Sequence, residues 1–307
     1  MNLASFAAPF ISYHLGGGVT PVLAGYKITH RCNLKCSHCP YWSRKGPESD
    51  FSDVTAALKC LKKMGARILI IEGGEPLLWK DGRKTIRDVV GTARDLFGCV
   101  CMTTNGTIPW GELPLDRVWV SLDGTEAVHD SIRGAGVFRK VLGNLEREGR
   151  GEALISLTIS KANAGVVADL IKLLKERVAG VTLQFYYPYG GLPDPLFISP
   201  AERGPILDEL MTLKSMGYPV ANSYISLTDL KRPVWSCEDR LLANAEPDGS
   251  VRHGCYLKNR GPSVCAQCGF SAHNEMTLAF KGRPESILTG MRIFFPFFGL
   301  ARRTTSL

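Results

Sequence analysis

The sequence predicts an α/β fold in which six parallel strands form an incomplete barrel. From residue 22 onward, apolar strand-like runs alternate with segments of helical periodicity. Such alternation is typical of βαβ units, which place helices outside a parallel sheet. Strands are predicted at 22–29, 67–72, 98–104, 117–122, 153–160 and 180–187, and helices at 51–64, 84–97, 137–148, 164–178 and 201–216. Six strands fit a partial (β/α)6 barrel better than a full barrel of eight.

Composition describes an ordinary globular protein. The 307 residues, 45% hydrophobic and 21% charged, are enough for one large domain and a small appendage. No apolar run is long enough to span a membrane, and the N-terminus lacks signal-peptide features. A cytoplasmic protein is therefore expected, in which cysteines serve as metal ligands rather than in disulfides. The net charge of +8 permits attraction to anionic lipid headgroups, but no nucleic-acid partner is expected.

The first segment, residues 1–20, is apolar and contains the flexible run Gly16 to Gly18. Its first fifteen residues are predicted to form a separate short helix. That helix closes one end of the core or, as the less favoured alternative, contacts a membrane.

Three cysteines follow the first predicted strand at the spacing C-x3-C-x2-C: Cys32, Cys36 and Cys39. Three neighbouring thiolates can hold a cubane iron–sulfur cluster, and three ligands for four irons leave one iron open. An open metal position binds an exogenous ligand. The alternatives are a zinc site with His30 or His38 as fourth ligand, or unrelated thiols.

This loop resembles the signature of the radical S-adenosylmethionine (SAM) enzymes. The resemblance implies a [4Fe–4S] cluster on Cys32, Cys36 and Cys39, whose open iron is chelated by the amino and carboxylate groups of SAM. It also implies an aromatic residue beside the adenine, after the third cysteine. Pro40 occupies that position and Tyr41 follows it.

The second predicted strand is followed by Gly73, Gly74 and Glu75. Paired glycines let backbone approach a ligand closely, and a carboxylate can accept a hydrogen bond from an ammonium group. Alone, the segment would be a turn. Its place after the cysteine loop resembles the family's GGEP segment, which implies contact with the SAM amino group.

Later strand ends supply further candidates. Asn105 begins an Asn-Gly turn, which the resemblance places near the cofactor. Ser121 and Asp123 can hydrogen-bond the ribose or the amino-acid end of SAM, and Arg133 offers a planar fork for a carboxylate. Singly, each also fits a capped helix or a surface ion pair. Their order resembles that of radical SAM enzymes with additional iron–sulfur domains.

Functional residues of such barrels lie where strands end and loops begin. Asn163 and Gln184, at the fifth and sixth predicted strands, are therefore assigned to the mouth of the barrel, near SAM or a substrate. Packing within the core or a loop would explain these two residues equally well.

Four more cysteines follow the last predicted helix: Cys237, Cys255, Cys265 and Cys268. They can close a zinc site or ligate a second [4Fe–4S] cluster. Only one C-x2-C knuckle is present, whereas zinc ribbons more often pair two, so a cluster is favoured. The spacing resembles the twitch domain, a shortened SPASM domain with one auxiliary cluster. The remaining thiols, Cys60, Cys99 and Cys101, are expected to be buried.

The last segment combines aromatic and basic residues: Phe294, Phe295, Phe297 and Phe298 around Pro296, with Arg292, Arg302 and Arg303. It is predicted to be either an amphipathic anchor on an anionic membrane surface or a tail packed over the barrel.

The chain is thus divided into an N-terminal segment (1–20), a radical SAM partial barrel (21–220), a twitch-like auxiliary-cluster domain (221–280) and the tail (281–307). The resemblance implies that one electron, supplied by a flavodoxin- or ferredoxin-type reductant, cleaves SAM to methionine and a 5′-deoxyadenosyl radical. That radical abstracts hydrogen from a peptide side chain, a lipid or a small molecule. The alternative is a non-catalytic iron–sulfur electron carrier or zinc-binding scaffold, which would not need Arg133 or the Gly73-Gly74-Glu75 turn.

Overall fold

The computed structural model describes residues 4–16, 18–149, 151–232, 235, 237–261 and 263–295. The strands are β1 (Leu23–Lys27), β2 (Ile68–Glu72), β3 (Lys80–Asp81), β4 (Lys84–Thr85), β5 (Cys99–Thr104), β6 (Arg117–Ser121), β7 (Leu154–Ile159), β8 (Gly180–Phe185), β9 (Leu242–Ala245) and β10 (Val251–His253). Eight of them form one open sheet in the order β10-β9-β1-β2-β5-β6-β7-β8, while β3 and β4 form a separate hairpin.

The six predicted strands are confirmed as β1, β2, β5, β6, β7 and β8, and all of their pairings are parallel. Two short strands that the sequence did not predict extend the sheet beyond β1. The first, β9, runs parallel to β1, and β10 returns antiparallel to it. Because β9 reads Leu-Ala-Asn-Ala, with no β-branched or aromatic residue, nothing in its composition marks it as a strand.

The helices are α1 (Ala4–His14), α2 (Phe51–Met64), α3 (Ile86–Leu96), α4 (Glu126–Arg133), α5 (Val137–Asn144), α6 (Val167–Leu173), α7 (Arg203–Ser215), α8 (Tyr224–Leu230), α9 (Tyr256–Arg260), α10 (Ser271–Phe280) and α11 (Pro284–Phe294). The five predicted helices are confirmed as α2, α3, α5, α6 and α7. Their apolar sides form the main core with one face of the sheet.

The other face of the sheet forms a second core with α10 and α11. The Phe294 ring lies 5.8 Å from Trp119, and Arg117 Nε donates to the Ile293 carbonyl at 2.9 Å. Phe295 is also buried. For Phe294 and Phe295 the membrane-anchor prediction is therefore wrong, because both pack into the protein. Pro296, Phe297, Phe298, Arg302 and Arg303 lie outside the described residues.

The N-terminal helix α1 packs at one end of the molecule, as its closing role predicts. Phe10 and Tyr13 contact Phe280 at ring distances of 5.8 and 5.7 Å. In the described part of the chain, no helix is long and apolar enough to cross a membrane. The division of the chain into domains at residues 20, 220 and 280 stays a prediction.

Removing residues 284–307 should destabilise the protein, because it uncovers Trp119 and the face of the sheet that packs against α10 and α11. We expect the free energy of unfolding to fall by about 3 kcal/mol or more, the range for loss of a large buried aromatic side chain. Urea denaturation of the two chains measures the difference. Removal of 296–307 alone is the matched control, since it leaves α11 in place. Unchanged stability after the longer deletion would contradict the packing role of α11.

Candidate active site

Three cysteines line one cavity of about 190 Å³ at the carboxyl ends of the parallel strands. Cys32, Cys36 and Cys39 lie on the loop that follows β1. Cys32 Sγ accepts hydrogen bonds from Leu34 N at 3.4 Å and Asn105 Nδ2 at 3.8 Å. Arg133 Nη1 donates to Cys36 Sγ at 4.0 Å. These donors point at sulfur atoms, where they would stabilise the negative charge of thiolate ligands.

Burial disfavours the thiolate form of two of these cysteines in the protein alone. Burial raises the pKa of Cys36 to about 11 and also raises that of Cys32. A metal centre deprotonates the thiols that bind it, so the three cysteines suit metal ligation better than free thiolate chemistry. All ten cysteines are free, with no disulfide among them.

Within the described ranges, no three His, Cys, Asp or Glu side chains converge closely enough to hold one metal ion. A four-iron cluster distributes its thiolates over separate irons, so its ligands need not meet at a point.

Most of the residues predicted to bind SAM share this cavity: Tyr41, Gly73, Gly74, Asn105, Ser121, Arg133 and Gln184 line it. Glu75, Asp123 and Asn163 are buried behind its wall. The structure therefore separates residues that can touch a ligand from residues that hold the wall in place.

The glycine pair lets the turn after β2 pack against the cysteine loop. A Cβ on Gly73 would lie 2.9 Å from the Thr29 carbonyl, and one on Gly74 would lie 2.4 Å from that of Arg31. Gly74 N donates to Thr29 O at 2.7 Å. Any side chain here would separate the turn from the loop that carries the cysteines.

The Glu75 carboxylate faces the protein interior. Oε1 accepts from Thr104 Oγ1 at 2.8 Å and Leu77 N at 3.2 Å, and Oε2 accepts from Asn105 N at 2.8 Å. Burial raises its pKa from the ordinary 4.5 to about 7. Three donors of the protein hold the carboxylate, and its expected contact with an ammonium group stays a prediction. Its role is to hold Asn105 beside Cys32.

Asp123 and Arg133 form a buried ion pair at the end of β6. Asp123 Oδ2 accepts from Arg133 Nε at 2.6 Å, and Oδ1 accepts from Thr158 N at 3.0 Å. Burial alone would raise the pKa of Asp123, but Arg133 outweighs that effect and the pKa is lowered. His129 Nδ1 accepts from Asp123 N at 3.1 Å. Both carboxylate oxygens of Asp123 therefore accept hydrogen bonds from the protein, whereas the Nη atoms of Arg133 remain available to a ligand in the cavity.

Asn163 braces the same strand ends. Its Nδ2 donates to Asp123 O at 2.6 Å and to Thr158 O at 2.8 Å, and its Oδ1 accepts from Ser160 N at 2.7 Å. These bonds give Asn163 a structural role behind the cavity. Gln184 lines the cavity, with Nε2 only 3.5 Å from Thr158 Oγ1.

Aromatic rings surround the cysteine loop. Tyr41 is buried under cations, with Lys27 Nζ 4.0 Å and the Arg44 guanidinium 4.6 Å from its ring centre. His38 lines the same cavity between the second and third cysteines, edge-on to Tyr186 at 6.4 Å. From sequence, His38 is predicted only as the fourth ligand of an alternative zinc site; its position between two cysteines is the signal that marks it as an aromatic neighbour of a ligand.

The four later cysteines lie near one another, with Cys237 beside Cys255 and Cys268. Burial is the main cause that raises the pKa of Cys268 to about 11, and the nearby Cys255 and Cys265 raise it further. The Arg203 guanidinium donates to the Cys268 and Gln267 carbonyls at 2.8 and 2.7 Å and fixes this loop. Cys99 and Cys101 are buried as expected, but the expectation for Cys60 is wrong, because it is exposed on the outer side of α2.

Comparisons with known proteins agree with this geometry. Residues 26–150 match the family model of the Radical SAM superfamily. Pre-heme d1 synthase of Dinoroseobacter shibae is 28% identical over 225 residues, 68% of this chain and 52% of that protein. The chain spans about half the length of the curated relatives it matches.

Two solved structures share the fold. SuiB of Streptococcus suis, bound to precursor peptide SuiA, has a TM-score of 0.61 at 14% identity and covers 92% of this chain and 67% of that chain. Native anSMEcpe, with bound AdoMet and a Cp18Cys peptide, has a TM-score of 0.59 at 20% identity and covers 92% and 84%. The predicted α/β fold, with the partial (β/α)6 barrel of radical SAM enzymes, is confirmed.

The fold, the cysteine-lined cavity and the family match together identify residues 26–150 as a Radical SAM domain. A domain of this kind implies a [4Fe–4S] cluster and SAM as cofactors.

Arg133→Leu should destabilise the protein by about 3–5 kcal/mol, because it leaves the Asp123 carboxylate buried without its partner. The double variant Arg133→Leu/Asp123→Asn should recover much of that loss, since the amide oxygen that replaces the carboxylate can still accept from Thr158 N. Urea denaturation of all four members of the cycle gives the interaction energy. If the free energy of unfolding of the Arg133→Leu variant lies within about 0.5 kcal/mol of the parent's, the ion pair contributes no more than an exposed surface pair does. That result would contradict the prediction.

Proposed function

We propose that the protein reductively cleaves SAM at a [4Fe–4S] cluster held by Cys32, Cys36 and Cys39, and that the resulting radical abstracts hydrogen from an organic substrate. The observation that carries this proposal is the convergence of the three cysteines, the Gly73-Gly74 backbone and Arg133 on one cavity. When bound and reduced, the cluster would supply the electron for cleavage.

The chain's own groups account for binding and orientation. Backbone carbonyls of the Gly73-Gly74 turn, which lines the cavity, and the neighbouring Glu75 carboxylate are the proposed acceptors for the SAM ammonium. Arg133 offers its Nη atoms to the SAM carboxylate while Asp123 fixes its Nε. Ser121 and Gln184 supply hydrogen-bonding groups for the ribose, and His38 or Tyr41 a ring for the adenine.

A second [4Fe–4S] cluster on Cys237, Cys255, Cys265 and Cys268 is part of the proposal. Support comes from their shared neighbourhood and from Arg203, which holds the Gln267 and Cys268 carbonyls and so keeps the loop in place. Such a cluster would transfer an electron to or from the substrate radical, or bind substrate. A flavodoxin- or ferredoxin-type protein is the proposed reductant.

Two substrate classes follow from the relatives. The name of the Dinoroseobacter protein suggests a tetrapyrrole, whereas SuiB and anSMEcpe were solved with peptides. A lipid remains the third class. For it we propose peripheral membrane contact through residues 296–307, where Phe297 and Phe298 precede Arg302 and Arg303. Co-sedimentation with anionic vesicles, measured for the full chain and for a chain without residues 296–307, tests this contact. Equal co-sedimentation of the two chains would disprove membrane contact through these residues.

Anaerobically reconstituted protein should contain about eight irons, four for each cubane cluster. Replacing Cys32, Cys36 and Cys39 together by Ala should leave about four irons and abolish SAM binding. Replacing Cys255 and Cys268 should also leave about four irons but retain SAM binding. Iron analysis and equilibrium dialysis with SAM measure both properties.

The matched control is Cys60→Ala, which removes an exposed thiol and should change neither value. Zinc in place of the second set of irons would overturn the auxiliary cluster. Full SAM binding by the triple variant would overturn the proposed SAM site.

A further inference from the structure

A second cavity, of about 260 Å³, lies inside the curve of the sheet and is closed by α10 and α11. We call it the lumen cavity, and the one beside Cys32, Cys36 and Cys39 the cysteine cavity. The two share part of their lining, which includes Glu72, Thr103, Ser156 and Gln184. A molecule in the lumen cavity would therefore lie next to whatever occupies the cysteine cavity.

Glu72 stands at the junction, at the last position of β2. Its Oε1 is held by Lys27 Nζ at 3.4 Å and by Arg260 Nη2 at 3.0 Å. Burial would raise its pKa, but the two cations outweigh that effect and lower the pKa to about 2, so the carboxylate is ionised at all ordinary pH values. Because both cations take Oε1, Oε2 remains as the acceptor for a molecule in the cavities.

The local charge is already balanced. Arg260 Nε also pairs with Glu246 Oε1 at 2.6 Å, on the side away from both cavities. Two cations thus face two carboxylates, and a further cation is not required to neutralise Glu72. The remaining carboxylate oxygen, Glu72 Oε2, therefore suits a neutral hydrogen-bond donor, such as a hydroxyl or an N–H group.

The rest of the lumen cavity is unsuited to anions. Among the described residues that line it, Glu72 and Glu275 are acidic and none is Lys or Arg. The Glu275 carboxylate is turned to Ser223, accepting from its N at 2.6 Å and its Oγ at 2.8 Å. An anion buried here would have no counter-charge, which is costly. The walls are largely apolar, with Leu23, Ile70, Trp119, Leu242, Met276 and Phe294 among them.

A tetrapyrrole with several carboxylates conflicts with this lining, because the lumen cavity offers its carboxylates no counter-charge.

We propose that the lumen cavity receives a neutral, apolar substrate group whose hydroxyl or N–H donates to Glu72, so that Glu72 determines substrate specificity. This inference rests on the proposed function, because it names the class of group presented to the SAM-derived radical. A peptide side chain meets this description, and so does an alcohol of similar size. The carboxylate-rich tetrapyrrole does not.

Three bicyclic probes of nearly equal shape test it on the reconstituted full-length protein: indole, which has an N–H donor; indene, which has no polar atom; and benzofuran, which has an acceptor oxygen. Calorimetry should find indole bound roughly tenfold or more tighter than the other two, the effect of one hydrogen bond to a charged group. Indole-2-carboxylate should not bind measurably. Equal affinities for indole and indene would overturn the proposal.

Glu72→Gln should reverse the preference, because the amide oxygen stays with Lys27 and Arg260 while the amide N–H₂ faces the cavity. Benzofuran should then bind at least as tightly as indole. The matched control is Glu246→Gln, which makes the same change on the other carboxylate that pairs with Arg260 and should keep the preference for indole. A preference unchanged by Glu72→Gln would overturn the proposal.

A second variant shows where the probes bind, and it tests the proposal even if the Glu72→Gln variant does not fold. Ile70→Trp fills the lumen cavity from β2 and should abolish binding of all three probes; retained binding would place the probes elsewhere and overturn the proposal. Probe binding requires no SAM cleavage, so the two claims fail separately. If the protein cleaves SAM but binds the three probes equally well, only the role of Glu72 is disproved. If it prefers indole but never cleaves SAM, only the proposed reaction is disproved.

Discussion

The site depends first on the buried ion pair between Asp123 and Arg133. Asp123 joins the ends of β6 and β7 through Thr158 N, while Arg133 reaches the sulfur of Cys36. The neighbouring Ile132 carbonyl accepts from Ser37 N at 2.9 Å and holds the cysteine loop directly. A buried pair is costly to break and tolerates few geometries, so this contact fixes where the loop lies relative to the sheet.

The opposite side of the loop is fixed by close packing and a second buried carboxylate. Gly73 and Gly74 let the turn after β2 touch the backbone of residues 29–31, and Glu75 holds Asn105 against Cys32. The loop is thus held from two sides, by the buried ion pair on one side and by the glycine turn with Glu75 on the other. The protein's contribution is orientation and exclusion of water around cofactors that carry the difficult chemistry.

The parts that could be predicted from sequence are local in the chain. The cysteine spacing, the glycine pair and the alternation of strands and helices each lie within a few residues, and the strands and helices so predicted are present. Other features depend on residues far apart in sequence. The inward turn of Glu75 requires Thr104, one of the cations over the Tyr41 ring is the distant Arg260, and Phe294 is buried because Trp119 is there to receive it. The position of Glu72 between two cavities could not be read from its neighbours in the chain.

Turnover of SAM tests the account most directly. Reconstituted protein incubated anaerobically with SAM and dithionite should form 5′-deoxyadenosine and methionine in equal amounts, and a Cys39→Ala variant should form neither. Protein that contains its full complement of iron, binds SAM and still yields no 5′-deoxyadenosine would contradict the account and favour an iron–sulfur electron carrier.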